Sequence, residues 1–208
     1  MAINLQKGQK IDIGLSNITI GLGWDPNEGT GHDFDLDASA IMINESRKVL
    51  SEQHFIFYNN LCGNGHGPTP DQCESNNCGS GLYGLIHTGD DPDGKSSDGE
   101  DDEAIRIDLN KVSNDVQEIL FVVTIDDFQA RKQNFGQVRN SYIRIVDDLQ
   151  GVEIAKYELD EDFSIETGVE FGRLYKRNGQ WKFEASGIGY KASLGFFLEK
   201  YYDGTIIN

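Results

Sequence analysis

The chain has 208 residues, with 35 Asp and Glu against 18 Lys and Arg, a formal net charge of -17. That surplus excludes nucleic acid as a general partner, because binding a phosphate backbone runs on clustered Lys and Arg and on the counterions they release. With 38% hydrophobic residues, 24 Gly and only 4 Pro, residues 1–208 read as one turn-rich folded domain rather than a disordered chain.

The opening MAINLQKGQK carries no basic stretch running into an apolar one, and the longest strongly apolar run, 119–125, is far too short to span a membrane. A cytoplasmic protein without a transmembrane segment is expected. Ile11, Ile13 and Leu15 alternate with Asp12, Gly14 and Ser16, and an apolar strand over 18–22 follows. After a Gly, Pro and Asn-rich loop, DFDLDASAIMI puts Phe34, Leu36, Ala38 and Ala40 on one side of an extended segment and Asp33, Asp35, Asp37 and Ser39 on the other. HFIFY over 54–58 is a further strand, stopped by Asn59 and Asn60. AIRIDL resumes the alternation, EILFVVTI has the β-branched and aromatic content of a central buried strand, and DDFQARKQNFGQ reads as a helical turn or ordered loop. SYIRIVDD and IAKYEL are strands, and Asn178-Gly179 marks a hairpin between Leu174-Tyr175 and Trp181-Phe183. The tail SLGFFLEKYY is a short helix. Eight to ten strands without a sustained helical repeat predict an all-β, two-sheet sandwich with short peripheral helices.

The acids are unevenly placed. Residues 25–37 hold five of them and no Lys or Arg, and residues 90–103 hold eight against one Lys. Asp33, Asp35 and Asp37 project from one face of a strand at roughly 6 to 7 Å spacing. Carboxylates so arranged repel one another unless a cation or hydrogen bonds compensate. Calcium takes six to eight oxygens from carboxylates, carbonyls and amides, which these Gly-rich loops supply. No EF-hand register fits: Ala38 stands where Gly is required and Asn44 where the closing Glu is required. From the residues alone, a calcium site and a merely solvated acidic face both stand.

GWD at 23–25, FDLDASA at 34–40, FYNN at 57–60, HTGD at 87–90, DDE at 101–103 and QNFGQVRN at 133–140 occur in the order found in the tellurium-resistance and stress protein family TerD, which the chain resembles over nearly its whole length. The resemblance implies a cytoplasmic β-sandwich that binds calcium in loops at one end and is tied to tolerance of tellurite and other stresses. Carried onto this chain, it implies calcium ligands among Asp25, Asp33, Asp35, Asp37 and Asp90, with Asp98, Asp101, Asp102 and Glu103 from the third acidic patch. Asn59 and Asn60 would add amide or carbonyl oxygens, and Asp126 would approach the same edge. Two ions would use so many acids more naturally than one. The resemblance supplies no biochemical mechanism, and with no convincing nucleophile or catalytic motif in the sequence the reading that comes first is a non-catalytic, calcium-dependent binding or scaffold module whose partners are calcium and other proteins.

The chain departs from the family pattern with a Cys and Gly-rich insertion at about 62–82. There Cys62, His66, Cys73 and Cys78, spaced C-x3-H-x6-C-x4-C, allow a four-coordinate zinc site, a disulfide with one thiol left over, or a plain loop with free thiols. A reducing interior favours the last. Two other functions have some footing in the sequence. A small-anion or nucleotide-binding protein would draw on Arg131, Lys132 and Arg139, the one basic cluster. A metal-dependent hydrolase would use the acids beside His32 and His87, yet no Gly-x-Ser-x-Gly elbow, His-Glu-x-x-His or phosphate loop is present.

Overall fold

The period-two stretches fold as strands whose apolar sides meet. The computed structural model describes residues 2–63, 81, 83–95, 101–159 and 163–202. Among these residues, one sheet of six strands runs in the order β1 (Ile3–Asn4), β10 (Val152–Glu158), β9 (Tyr142–Asp147), β3 (Asn17–Gly23), β7 (Glu103–Asp108) and β6 (Leu85–His87). A second sheet, of seven strands, runs β2 (Lys10–Asp12), β12 (Gln180–Glu184), β11 (Gly168–Arg177), β8 (Glu118–Ile125), β4 (Leu36–Ile43) and β5 (Phe55–Ile56), with β13 (Ile188–Tyr190) also paired to β11. All pairings are antiparallel except that of β1 with β10. The sheets stack as the expected sandwich, with more strands than the sequence suggests because the edges break into segments of two or three residues.

The core lies between the sheets. Ile18, Ile20 and Leu22 of β3 and Ile143 and Ile145 of β9 face Leu36, Ala38, Ala40 and Met42 of β4 and Phe121 and Val123 of β8. EILFVVTI is an inner strand, held by β4 on one side and β11 on the other. Its odd-numbered residues fill that core. Its even-numbered ones, Leu120 and Val122, join Ile41, Ile43 and Phe55 on the outer face, beneath Phe197 and Tyr201 of a helix at the C-terminal end.

That helix, α2 (Leu194–Tyr201), is the predicted one; a single turn, α1 (Phe128–Arg131), precedes it within the stretch read as a helical turn. Glu170 pins α2 to the sheet. It is buried, and its Oε1 accepts from Tyr190 Oη at 3.1 Å, from Tyr201 Oη at 2.7 Å and from the Lys200 ammonium. The hairpin turn is as expected: Asn178 and Gly179 have φ of 53° and 75°, the paired positive values that suit a two-residue turn between twisted strands.

Two expectations are corrected. Only Phe55–Ile56 of HFIFY pair as a strand, because a 3-10 turn over Glu52–His54 precedes them and the Asn60 amide donates back to the Phe57 carbonyl at 2.8 Å, closing the chain on itself. Cys62 is fully buried and disulfide-bonded, so its sulfur is neither a free thiol nor the thiolate a zinc ion needs. His66, Cys73 and Cys78 lie outside the described residues. No helix among those described is long and apolar enough to cross a membrane.

Candidate metal centre

β5 pairs with β4 only at Ala40 and Ile41, so the edge of β4 is bare at Ala38. Side chains from the other sheet take its place. The Ala38 amide donates to Glu103 Oε2 at 2.7 Å, and His87 Nε2 lies 3.1 Å from the Ala38 carbonyl. The Gly89 amide donates to His87 Nδ1 at 3.0 Å, which leaves the ring proton on Nε2 to point at that carbonyl. Glu103 Oε1 accepts from the Asp91 amide at 3.3 Å. The buried Glu103 therefore ties the start of β4 to the HTGD loop that carries Asp90.

This tie brings three carboxylates together. Asp35 and Asp37, on one face of the β4 segment, and Asp90 offer oxygens that all lie within 4.8 Å of one another. The electrostatics are those of a cluster short of a cation. Burial, then the charges of Glu103, Asp35 and Asp90, push the Asp37 carboxyl up to about 9. Burial and Asp90 raise Asp35 to about 6 against the pull of Arg131, and burial raises Asp90 and Glu103 as well. Such upward shifts mark sites whose charged form awaits a partner.

Asp126 stands at the rim. Its amide donates to the Asp35 carbonyl at 2.9 Å, and its carboxylate shares Arg131 with Asp35, each at 3.3 Å. The half-buried Tyr58 is also close, since its phenol is raised by burial and by the charges of Asp37, Asp126, Asp90 and Asp35. In FYNN the phenol of Tyr58, rather than an amide oxygen, is the group that feels the triad's charge. Asn59 is exposed, and the Asn60 amide donates to the Phe55 carbonyl at 2.7 Å.

The remaining acids lie apart from this triad. Asp33 is half-exposed and held by Lys95, which also pairs with Asp93. Asp25 is exposed, accepts from the Asn140 amide at 2.6 Å, and lines a separate cleft with Glu28, Phe34 and Arg139. Asp101 accepts from Arg144 at 2.7 Å and from Tyr142 at 3.2 Å, and Asp102 accepts from the Trp24 amide at 2.9 Å. Asp98 is outside the described residues. The basic cluster divides: Arg131 is spent on Asp35 and Asp126, while Arg139 lies in a cleft with two acids.

Arg131 acts as the triad's built-in counter-ion, and an entering cation must displace its pull on Asp35. Arg131→Gln is therefore expected to tighten divalent-cation binding by about two- to fivefold, the scale of a solvent-screened pair. Calorimetric titration checks it; weaker binding in the variant would show that Arg131 organises the site rather than competing for it.

The TerD domain model matches residues 1–201. The chain belongs to the TerD family. It is 42% identical to general stress protein 16U of Bacillus subtilis (strain 168) over 207 residues, covering 97% of each chain. It is equally 42% identical to the tellurium resistance protein TerD of an Alcaligenes species over 206 residues, again with 97% of each chain covered. Among solved structures, the fold is similar to that of a homologue of the telluride resistance protein TerD from Streptomyces coelicolor A3(2), with a TM-score of 0.66 at 15% identity, over 88% of this chain and 95% of that one. Both of these relatives carry names that refer to stress or resistance and not to a reaction.

Proposed function

We propose that this TerD-family protein is a cytoplasmic, non-catalytic, calcium-binding module of the stress response, associated with tellurite resistance and acting through protein partners. As a member of this family it is not an enzyme; what it does, it does by binding. The observation that supports calcium is the convergence of Asp35, Asp37 and Asp90 within 4.8 Å, held in place by the buried Glu103 and His87. Hard oxygen donors on loops beside a strand end suit calcium, with its six to eight oxygen ligands, better than zinc, which favours nitrogen and sulfur.

When bound, the ion supplies positive charge that neutralises the triad. The chain's own residues do the rest. Glu103 aligns the Ala38 and Asp91 amides, and Asp126 holds Arg131 at the rim. Titrating metal-free protein with calcium tests the reading. A saturable heat is expected, and calcium at about 100 times Kd should stabilise the fold by about 2.7 kcal/mol, raising Tm by about 5 to 10 °C. No heat and no shift up to millimolar calcium would sink the proposal. The stoichiometry is equally informative. One ion per chain assigns the signal to the triad, and two require ligands from outside it.

A further inference from the structure

Behind the triad, a polar strip continues along the same face of the seven-stranded sheet. Thr124 stands directly opposite Asp37 in the β4–β8 ladder, and Ser39 follows two residues after Asp37, so strand alternation places both hydroxyls on the Asp37 side. Gly168 of β11 is opposite Thr124, and a Cβ added there would meet the Phe197 ring at 3.0 Å, so α2 roofs this row. Ser39 is 0% exposed and Thr124 1%, and neither hydroxyl oxygen has a hydrogen-bond partner.

Leaving a buried hydroxyl unpaired costs about 1 to 3 kcal/mol. A hydroxyl turns freely to find an acceptor, and a carboxylate stands directly across the ladder. A hydroxyl kept for local structure would donate to it, and that of Thr124 does not. Oxygens that ligate one calcium at about 2.3 to 2.6 Å stand about 3 to 5 Å from each other, facing one centre without bonding among themselves. An unbonded Thr124 hydroxyl across from Asp37 fits that arrangement.

We propose that the Thr124 hydroxyl supplies the inner neutral oxygen of the cation site whose outer donors are Asp35, Asp37 and Asp90. The inference rests on the calcium reading above and adds one oxygen that carries no charge. It also assigns that oxygen a selective role. Magnesium keeps much of its own water, so losing a protein hydroxyl weighs more heavily on calcium.

Calorimetric titrations of the full chain, first freed of metal, would compare wild type with Thr124→Val, Thr124→Ser and Ser39→Ala. Thr124→Val is expected to weaken calcium binding about tenfold and magnesium binding less. Thr124→Ser restores the hydroxyl and should bind within about twofold of wild type, and Ser39→Ala, whose hydroxyl lies farther along the strand, should bind as wild type does. Without metal, Thr124→Val should melt no lower than wild type, since it removes an unpaired hydroxyl. Calcium binding by Thr124→Val at wild-type strength would overturn the proposal. Should that variant fail to fold, calcium binding by Thr124→Ala at wild-type strength would overturn it instead. A wild-type chain that takes up no calcium would reject the calcium reading itself, a different outcome from a wild type that binds and a Thr124 variant that binds equally well.

Discussion

Replacing Asp37 by asparagine is expected to stabilise the metal-free protein and to abolish its response to calcium. Both effects have one cause. In the metal-free chain Asp37 is buried among Glu103, Asp35 and Asp90, so its ionised form is unfavourable and its carboxyl is raised to about 9. Asparagine keeps the shape without the charge and should raise Tm by several degrees. On the proposed calcium reading the same change removes a central carboxylate of the triad, so the calcium-induced rise in Tm should vanish. A variant that melts lower without metal and still responds to calcium would reject Asp37 as a ligand.

The pH dependence has a defined sign. An unfolded Asp titrates near 3.8, whereas Asp37 in the fold holds its proton to about 9 and Asp35 to about 6. Below both values the groups are neutral in either state and contribute nothing. As pH rises past the unfolded value, the unfolded chain ionises first and is favoured, so metal-free stability should fall through this window and level off only above pH 9. Calcium needs the carboxylates charged, so its binding releases protons. Between pH 6 and 9 affinity should climb about tenfold per pH unit, with about one proton released per ion at pH 7. Titrations in buffers of different ionisation enthalpy would count that proton, and a pH-independent affinity would contradict the account.

Glu170→Ala is the second large effect. The substitution leaves the Lys200 ammonium and the Tyr190 and Tyr201 hydroxyls without the buried oxygen on which they converge. Breaking a buried, hydrogen-bonded charge pair costs about 3 to 5 kcal/mol, and because Lys200 is one-third exposed we expect about 2 to 3 kcal/mol here. Denaturant unfolding would measure it. Because Phe197 of the same helix lies over Gly168, beside Thr124, the substitution should also speed amide exchange along β8 and weaken calcium binding. A loss of stability with unchanged calcium affinity would show that the helix and the cation site are independent.

Much of the architecture was legible because burial writes itself into a strand as alternation. Phe34, Leu36, Ala38 and Ala40 turn inward and Asp35 and Asp37 turn away, as spacing alone predicts. The Asn178-Gly179 turn and the C-terminal helix were also readable, since each depends on local chemistry. HFIFY departs from its pattern for the opposite reason. Its propensity favours a strand, but the chain turns back at Asn60 after pairing only two residues. Sequence also does not show whether a cysteine meets a partner, and the expectation of free thiols failed at Cys62.

By itself the sequence determined where the negative charge is concentrated, that the chain folds as a two-sheet sandwich, and that it belongs with the TerD proteins. It did not rank the acids, because a carboxylate's role depends on what crosses the fold to meet it. The tertiary structure divided them. It gave Asp101 to Arg144, Asp33 to Lys95 and Asp102 to the Trp24 amide, and it gathered Asp35, Asp37 and Asp90 where β4 begins. Alternation is local and can be read along a strand, whereas convergence depends on which strand ends the two sheets bring together.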